Sequence, residues 1–193
     1  MLKTMAAVSG ILWLVACETY PADVVNAFME ATRDGDLATL ARVSVVGWPG
    51  DRVLASDIQA WWVTRVAASE VEPFQLEEIQ VKLNAARAAR DARLQATGEA
   101  EDAELERIQS RVERLRIQVE REREEARKSV ETWAPIDGFQ GDVETRRAEI
   151  IVRSPSGDLP YALILKRYRL SRSSDASPSP SRWIVTAIES VGG

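Results

Sequence analysis

The sequence predicts an α+β protein. N-terminal helices pack on an antiparallel sheet, and a long antiparallel helical hairpin, a coiled coil, is inserted between them. Three observations predict it. Residues 17–74 carry apolar side chains at helical spacing. Residues 75–132 contain no proline and are rich in Ala, Glu, Arg, Gln and Leu, the composition of long helices or a coiled coil. Residues 133–193 hold runs of Ile, Val, Leu and Tyr separated by turn chemistry.

The N-terminal residues 1–16 read as a segment apart. Lys3 precedes an apolar stretch from Met5 to Ala16, and Leu14-Val15-Ala16 leads into Cys17, the single cysteine of the chain. A positive residue, a short apolar core and small residues before the cleavage point form the order of a secretory signal. The stretch is well short of the ~20 apolar residues that a spanning helix needs. Its ending resembles the lipobox of bacterial lipoproteins. That resemblance implies that Cys17 is the first mature residue, that it carries lipid, and that this lipid attaches the protein to a membrane. Glu18 rather than Asp follows the cysteine. By the enterobacterial sorting rule, this implies an envelope protein on the outer membrane, facing the periplasm. The competing readings of Cys17 are a buried thiol and an uncleaved anchor.

Composition bounds the chemistry. A hydrophobic fraction of 45% suits one globular domain with a real core, and a formal net charge of -5 gives no general case for nucleic-acid binding. The chain has no histidine. That removes the usual general base and the commonest metal ligand. With Cys17 committed to lipid, neither a Cys/His zinc site nor a Cys-His nucleophile can be built. No glycine-rich phosphate loop follows a strand. The expectation is a protein without cofactor or metal.

Within residues 17–74, Pro21 suits a helix start, and Val24, Val25, Phe28, Met29 and Thr32 follow at helical spacing. Asp34-Gly35-Asp36 ends this helix and caps a second through Leu37, Leu40, Ala41 and Val43. Gly47-Trp48-Pro49-Gly50 is a turn. Ser56 or Asp57 then caps a third predicted helix through Ile58, Trp61, Trp62 and Val66, with Pro73 closing the zone. On such a helix Trp61 and Trp62 cannot share one core, so one of them is a candidate for an interface or a pocket rim.

In residues 75–132, Leu76, Ile79, Leu83 and Ala86 step by 3, 4 and 3. Leu105, Ile108, Val112, Leu115 and Val119 step by 3, 4, 3 and 4, the seam of a coiled coil and a candidate partner-binding stripe. Between the seams, Gly98 and the acidic residues after it suit a chain reversal. The alternative is one rod of about 85 Å, at about 1.5 Å per residue. Glu78 with Lys82 and Glu124 with Lys128 lie four apart in the favourable order. From Glu120 to Lys128 charge runs nearly all round, so this stretch is held by charge pairs or bridges two bodies.

In residues 133–193, strands are predicted over 143–153, 159–172 and 182–191. Tyr161, Leu163, Leu165, Arg167 and Arg169 share one face of the middle strand, and Ala162, Ile164, Lys166, Tyr168 and Leu170 the other. Neither face is apolar to its end, so the strands are expected to run past the covered core into solvent.

Three stretches carry a family resemblance. Residues 21–31 with Gly35-Asp36-Leu37, the closing Ser181-Arg182-Trp183-Ile184-Val185-Thr186-Ala187-Ile188, and the preceding run from Tyr161 to Leu170 as its neighbouring strand, resemble domains similar to nuclear transport factor 2. The resemblance implies a curved sheet wrapped around helices as a cone, often with a pocket. The inserted hairpin departs from it.

The functional expectation is a non-catalytic binding or assembly module whose hairpin meets a protein partner or another copy of itself. A small hydrophobic ligand or lipid in the cone is the alternative. A histidine-free isomerase-like enzyme is the third reading, with Asp137, Asp142, Glu144 and Glu149 as the carboxylates to weigh. Alternation sets Glu149 beside Ile151 and Arg153, which favours a cross-strand ion pair over a base.

Overall fold

The structure is a computed structural model and describes residues 20–97, 103–132, 134–172, 178–179 and 181–191. Cys17 lies outside the described residues, as do Gly98 and the acidic residues after it. Helix α1 spans Pro21–Asp34 and buries Val24, Val25, Phe28 and Met29. Gly35, at φ 70°, ends it in the left-handed conformation that glycine adopts without steric cost. Asp36 then caps α2 (Leu37–Val43), accepting from the Ala38 and Thr39 amides at 3.0 and 3.1 Å.

The third predicted helix is not formed. A single 3-10 turn, Ala55–Asp57, leads into strand β1 (Ala60–Val66), and β2 (Glu70–Pro73) follows. The segment is therefore only partly helical, and the reason is local. Trp61-Trp62-Val63-Thr64 is a run of aromatic and β-branched residues that favours a pleated surface. A register shift between Val63 and Arg65 returns Val66 to the core side, so Trp61, Val63 and Val66 all pack inward. That bulge breaks the period of two and produces a spacing that imitates a helix.

Helices α3 (Leu76–Thr97) and α4 (Ala103–Ser129) come next, then β3 (Gln140–Ser154), β4 (Gly157–Ser171) and β5 (Ile184–Ser190). All strand pairings are antiparallel, in the order β1-β3-β4-β5, with β2 also on the outer edge of β3. The turn between β3 and β4 is Pro155-Ser156, with Gly157 at φ 119°. At the other end of this ladder Gly141, at φ 142°, pairs with Leu170, and a Cβ there would lie 2.0 Å from the Arg169 carbonyl oxygen. Only glycine fits.

Register sorts the side chains into two faces. Tyr161, Leu163 and Leu165 of β4, with Ile150 and Ala148 opposite them, share a core with Val25, Phe28 and Met29 of α1. Each such aliphatic or aromatic side chain, once buried, contributes about 1.5–3 kcal/mol. Tyr168 and Leu170, with Val143 opposite Tyr168, point to the other face and share a second core with α3 and α4. The far ends of β3 and β4 therefore do not run into solvent, because the helix pair covers them on the face opposite α1.

Arg93 pairs with Glu104 near the reversal, whereas Arg123 donates to Gln80 at the other end, so α3 and α4 run in opposite directions. Leu76, Ile79, Leu83 and Ala86 meet Val112, Val119 and Ala126 between them.

Candidate functional site at the base of the helical arm

The polar ties between α4 and the sheet come from its last turns. Glu125 is fully buried and accepts from Arg121 Nε at 2.7 Å, Lys166 Nζ at 2.7 Å and Tyr168 Oη at 2.8 Å. Burial pushes this carboxyl up, but the bonds from Lys166, Arg121 and Tyr168 outweigh it and hold Glu125 below the usual carboxylate range. Its neighbour Glu122, 3.9 Å from Lys166, is raised, because burial there outweighs the pull of the lysine. Burial and the two carboxylates also push the Tyr168 hydroxyl far up, so it stays protonated, donating to Glu125 while accepting from Lys166 at 3.5 Å.

One turn later, Ser129 fastens the chain before β5. Its carbonyl accepts from the Arg182 amide at 2.9 Å, and its Oγ donates to the Arg182 carbonyl at 2.7 Å. The same Oγ accepts from the Tyr168 amide at 2.9 Å. Beyond Lys166, β4 has no β5 partner, so Ser129 satisfies an edge donor that would otherwise be orphaned.

Beside this mount, α2 and α4 stand apart and leave a cleft of about 510 Å³. Its walls are Ala38, Ala41 and Arg42 from α2, Glu124, Arg127 and Lys128 from α4, and Glu131, Thr132 and Arg182 beyond them. Lys128 donates to the Ser44 carbonyl at 2.7 Å and lies 3.5 Å from Glu124. Arg182 pairs with the exposed Glu131, yet its Nε is buried without a partner. Burial, against the pull of Glu131 and with Arg42 adding repulsion, holds Arg182 below the usual guanidinium range. It remains a cation at any physiological pH. Arg42 and Arg127 make no ion pair or side-chain hydrogen bond among the described residues.

A second charged group lies on the α1 face. Glu144 accepts from Arg167 at 2.6 Å and lies 3.1 Å from Arg169, and Arg146 and Arg167 flank the Trp183 ring at 5.3 and 4.9 Å. Burial raises Glu144, but Arg167 outweighs it and leaves the carboxyl below its ordinary range. This is a base already spent on guanidinium partners. Asp137 bonds Arg123 at 2.7 Å, Asp142 stands opposite Arg169, and Glu149 stands opposite Arg65 on β1. The four carboxylates are spread over the sheet and its approach and form no shared site.

The expected seam packs inward. Leu105, Val112 and Val119 are buried, and Ile108 and Leu115 are half-buried against the α3 core. Trp61 and Trp62 fall on opposite faces of β1. Trp61 donates to Asn26 Oδ1 at 3.1 Å and carries Arg33 over its ring, while Trp62 lies half-exposed under Arg153. The space where α1 meets the sheet is filled by Phe28, Met29, Ile150, Tyr161 and Leu163, all at most 1% exposed. Among the described residues, no group of three or more Asp, Glu, His or Cys could hold a metal ion, and no helix is long and apolar enough to cross a membrane.

Glu125 is the residue that sequence reasoning missed as an individual. Its signal was the charge running round the helix from Glu120 to Lys128, which marked a bridge without naming its centre. The cleft left no signal at all, since its cations come from three separate segments. Comparison of the chain with protein-family models, with curated proteins and with solved structures finds no match.

Proposed function

We propose that this chain is a non-catalytic, lipid-anchored binding or assembly module of a bacterial envelope, with α3 and α4 forming an arm that contacts a protein partner. The observation that carries the reading is the uneven mounting of α4. Its polar ties to the sheet and to the segments beside it come from Arg121, Glu122, Arg123, Glu125, Lys128 and Ser129. Ile108, Val112 and Leu115 pack on α3 in the earlier turns, from Ala103 to Leu115. Those 13 residues correspond to about 20 Å of helix at about 1.5 Å per residue, held at one end by a buried charge network. Rigid mounting lowers the ordering cost when such an element binds a partner.

Since the seam from Leu105 to Val119 is used within the chain, the partner meets the outer faces of the arm. Val81 and Ile117 are the exposed large apolar side chains on α3 and α4, at 63% and 56%, with Ile117 near the mounted end beside Val45 and Val46. The body, read through the resemblance of residues 21–37 and 181–188 as a domain like nuclear transport factor 2, serves as the mount. Cys17 supplies the membrane attachment, at the outer membrane facing the periplasm.

Two measurements test this. Lipid labelling of cells is expected to mark the wild-type chain and not Cys17→Ala. In crosslinked membranes, a discrete adduct is expected with the wild type and with Trp62→Glu, and its loss with Val81→Glu and Ile117→Glu. An adduct that persists in both arm variants removes the arm from the proposed interface.

A further inference from the structure

We propose that the cleft between α2 and α4 is a binding site for a phosphate-bearing ligand. This goes beyond the arm and its partner, and it rests on different residues. Four cations (Arg42, Arg127, Lys128 and Arg182) and two carboxylates (Glu124 and Glu131) line the cleft, a surplus of two positive charges in a chain whose net charge is -5. Arg42, Arg127 and Lys128 each sit in the last turn of a helix, where a cation offsets the helix dipole. That accounts for their sign. It does not account for Arg182, which lies outside any helix and keeps a buried Nε without a partner.

The unused capacity is specific in kind. Two guanidinium groups without ion pairs, Arg42 and Arg127, present planar forks that match tetrahedral oxyanions in bidentate fashion, and the Arg182 guanidinium beside them is paired only with Glu131. The surplus matches a dianion better than a single carboxylate. Glu131, the ion-pair partner of Arg182, is 62% exposed, so an entering phosphate can take its place while the glutamate returns to water. The base of the cleft is fixed, because both backbone groups of Arg182 are tied to Ser129. At about 510 Å³ the cleft lies within the roughly 300–1,000 Å³ of small-molecule sites. A bare phosphate fills only part of it. The Ala38 and Ala41 side leaves room for an apolar group carried by a phosphate ester or a lipid headgroup.

The test is calorimetric titration of the full chain with three soluble probes: inorganic phosphate, phenyl phosphate, and a short-chain phosphatidic acid below its micelle concentration. Saturable binding is expected, weakened about tenfold or more in Arg42→Gln/Arg127→Gln and falling as salt is raised. Arg111→Gln, an exposed cation elsewhere on α4, is expected to bind as the wild type does. Thermal melts of both variants check that the fold is kept. Equal affinity for all three probes assigns the site to free phosphate, and tighter binding of the esters assigns it to an organic phosphate or a lipid headgroup. No binding of any probe at millimolar concentration overturns the proposal, and so does binding unchanged in the double variant.

Discussion

Glu125 of α4 and Lys166 of β4 lie 2.7 Å apart, and the Glu125 side chain is wholly removed from water. With Arg121 and Tyr168 completing its bonds, this pair ties the base of the helical arm to the sheet.

Removing that charge leaves Lys166 facing a buried amide. Glu125→Gln is expected to lower stability by about 3 kcal/mol, the cost typical of breaking a buried pair from one side. Urea denaturation at neutral pH measures it. A loss under about 0.5 kcal/mol, in the range of an ordinary surface substitution, would mean that the apolar contacts alone seat the arm.

Glu122 and Glu125 respond to pH in opposite senses. The folded pKa of Glu125 is depressed, so its contribution is present above the unfolded value of 4.5 and is lost as pH falls through the folded pKa. Glu122 is raised, so its ionisation costs stability, and the fold gains as pH drops from neutral toward 4.5. Glu122→Gln is therefore expected to be more stable than wild type at pH 7, with the difference closing toward pH 4. Denaturation midpoints across that range provide the check, and an unchanged difference would contradict the assignment.

The tryptophan pair separates by face. Trp61→Ala is expected to cost about 2–3 kcal/mol, since it loses core packing and the bond to Asn26. Trp62→Ala is expected to cost under about 1 kcal/mol, because the ring is partly exposed and held mainly by Arg153. Parallel thermal melts compare the two. Equal losses would contradict the placement of the two rings on opposite faces of β1.

Gly141→Ala tests the β3–β4 ladder at its tightest point. With the Arg169 carbonyl oxygen 2.0 Å from the new Cβ, a strand must shift, at an expected cost of about 2–4 kcal/mol. Amide exchange is expected to rise first around Leu170, which pairs with Gly141, and to stay slow at Leu163. Uniform protection across β4 would show that the clash is relieved without breaking the pairing.

How much of this was legible before the structure differs by element. The first two helices, the cap at Asp36 and the αL turn at Gly35 were readable because each is decided by residues within a few positions. The pairings Glu78–Lys82 and Glu124–Lys128 follow from helical geometry and are present at 2.6 and 3.5 Å. Strand β1 was misread because its bulge turns an alternating pattern into a 3.6-like one, and only pairing with β3 resolves the ambiguity. Gly141 carried no warning either, since the atom that forbids a side chain there belongs to residue 169.

The sequence alone determined the α+β class, the two N-terminal helices, the charged helical stretch and the faces of the middle strand. These depend on periodicity and on capping chemistry that act along the chain. Tertiary structure decided which face of the sheet each helical layer covers, that the seam from Leu105 to Val119 packs against α3, and that Glu125 is buried. It also gathered Arg42, Arg127, Lys128 and Arg182 around one cleft. Desolvation and charge proximity are properties of three-dimensional neighbours. Residues as far apart as Glu125 and Lys166 acquire them only when folding brings their segments together.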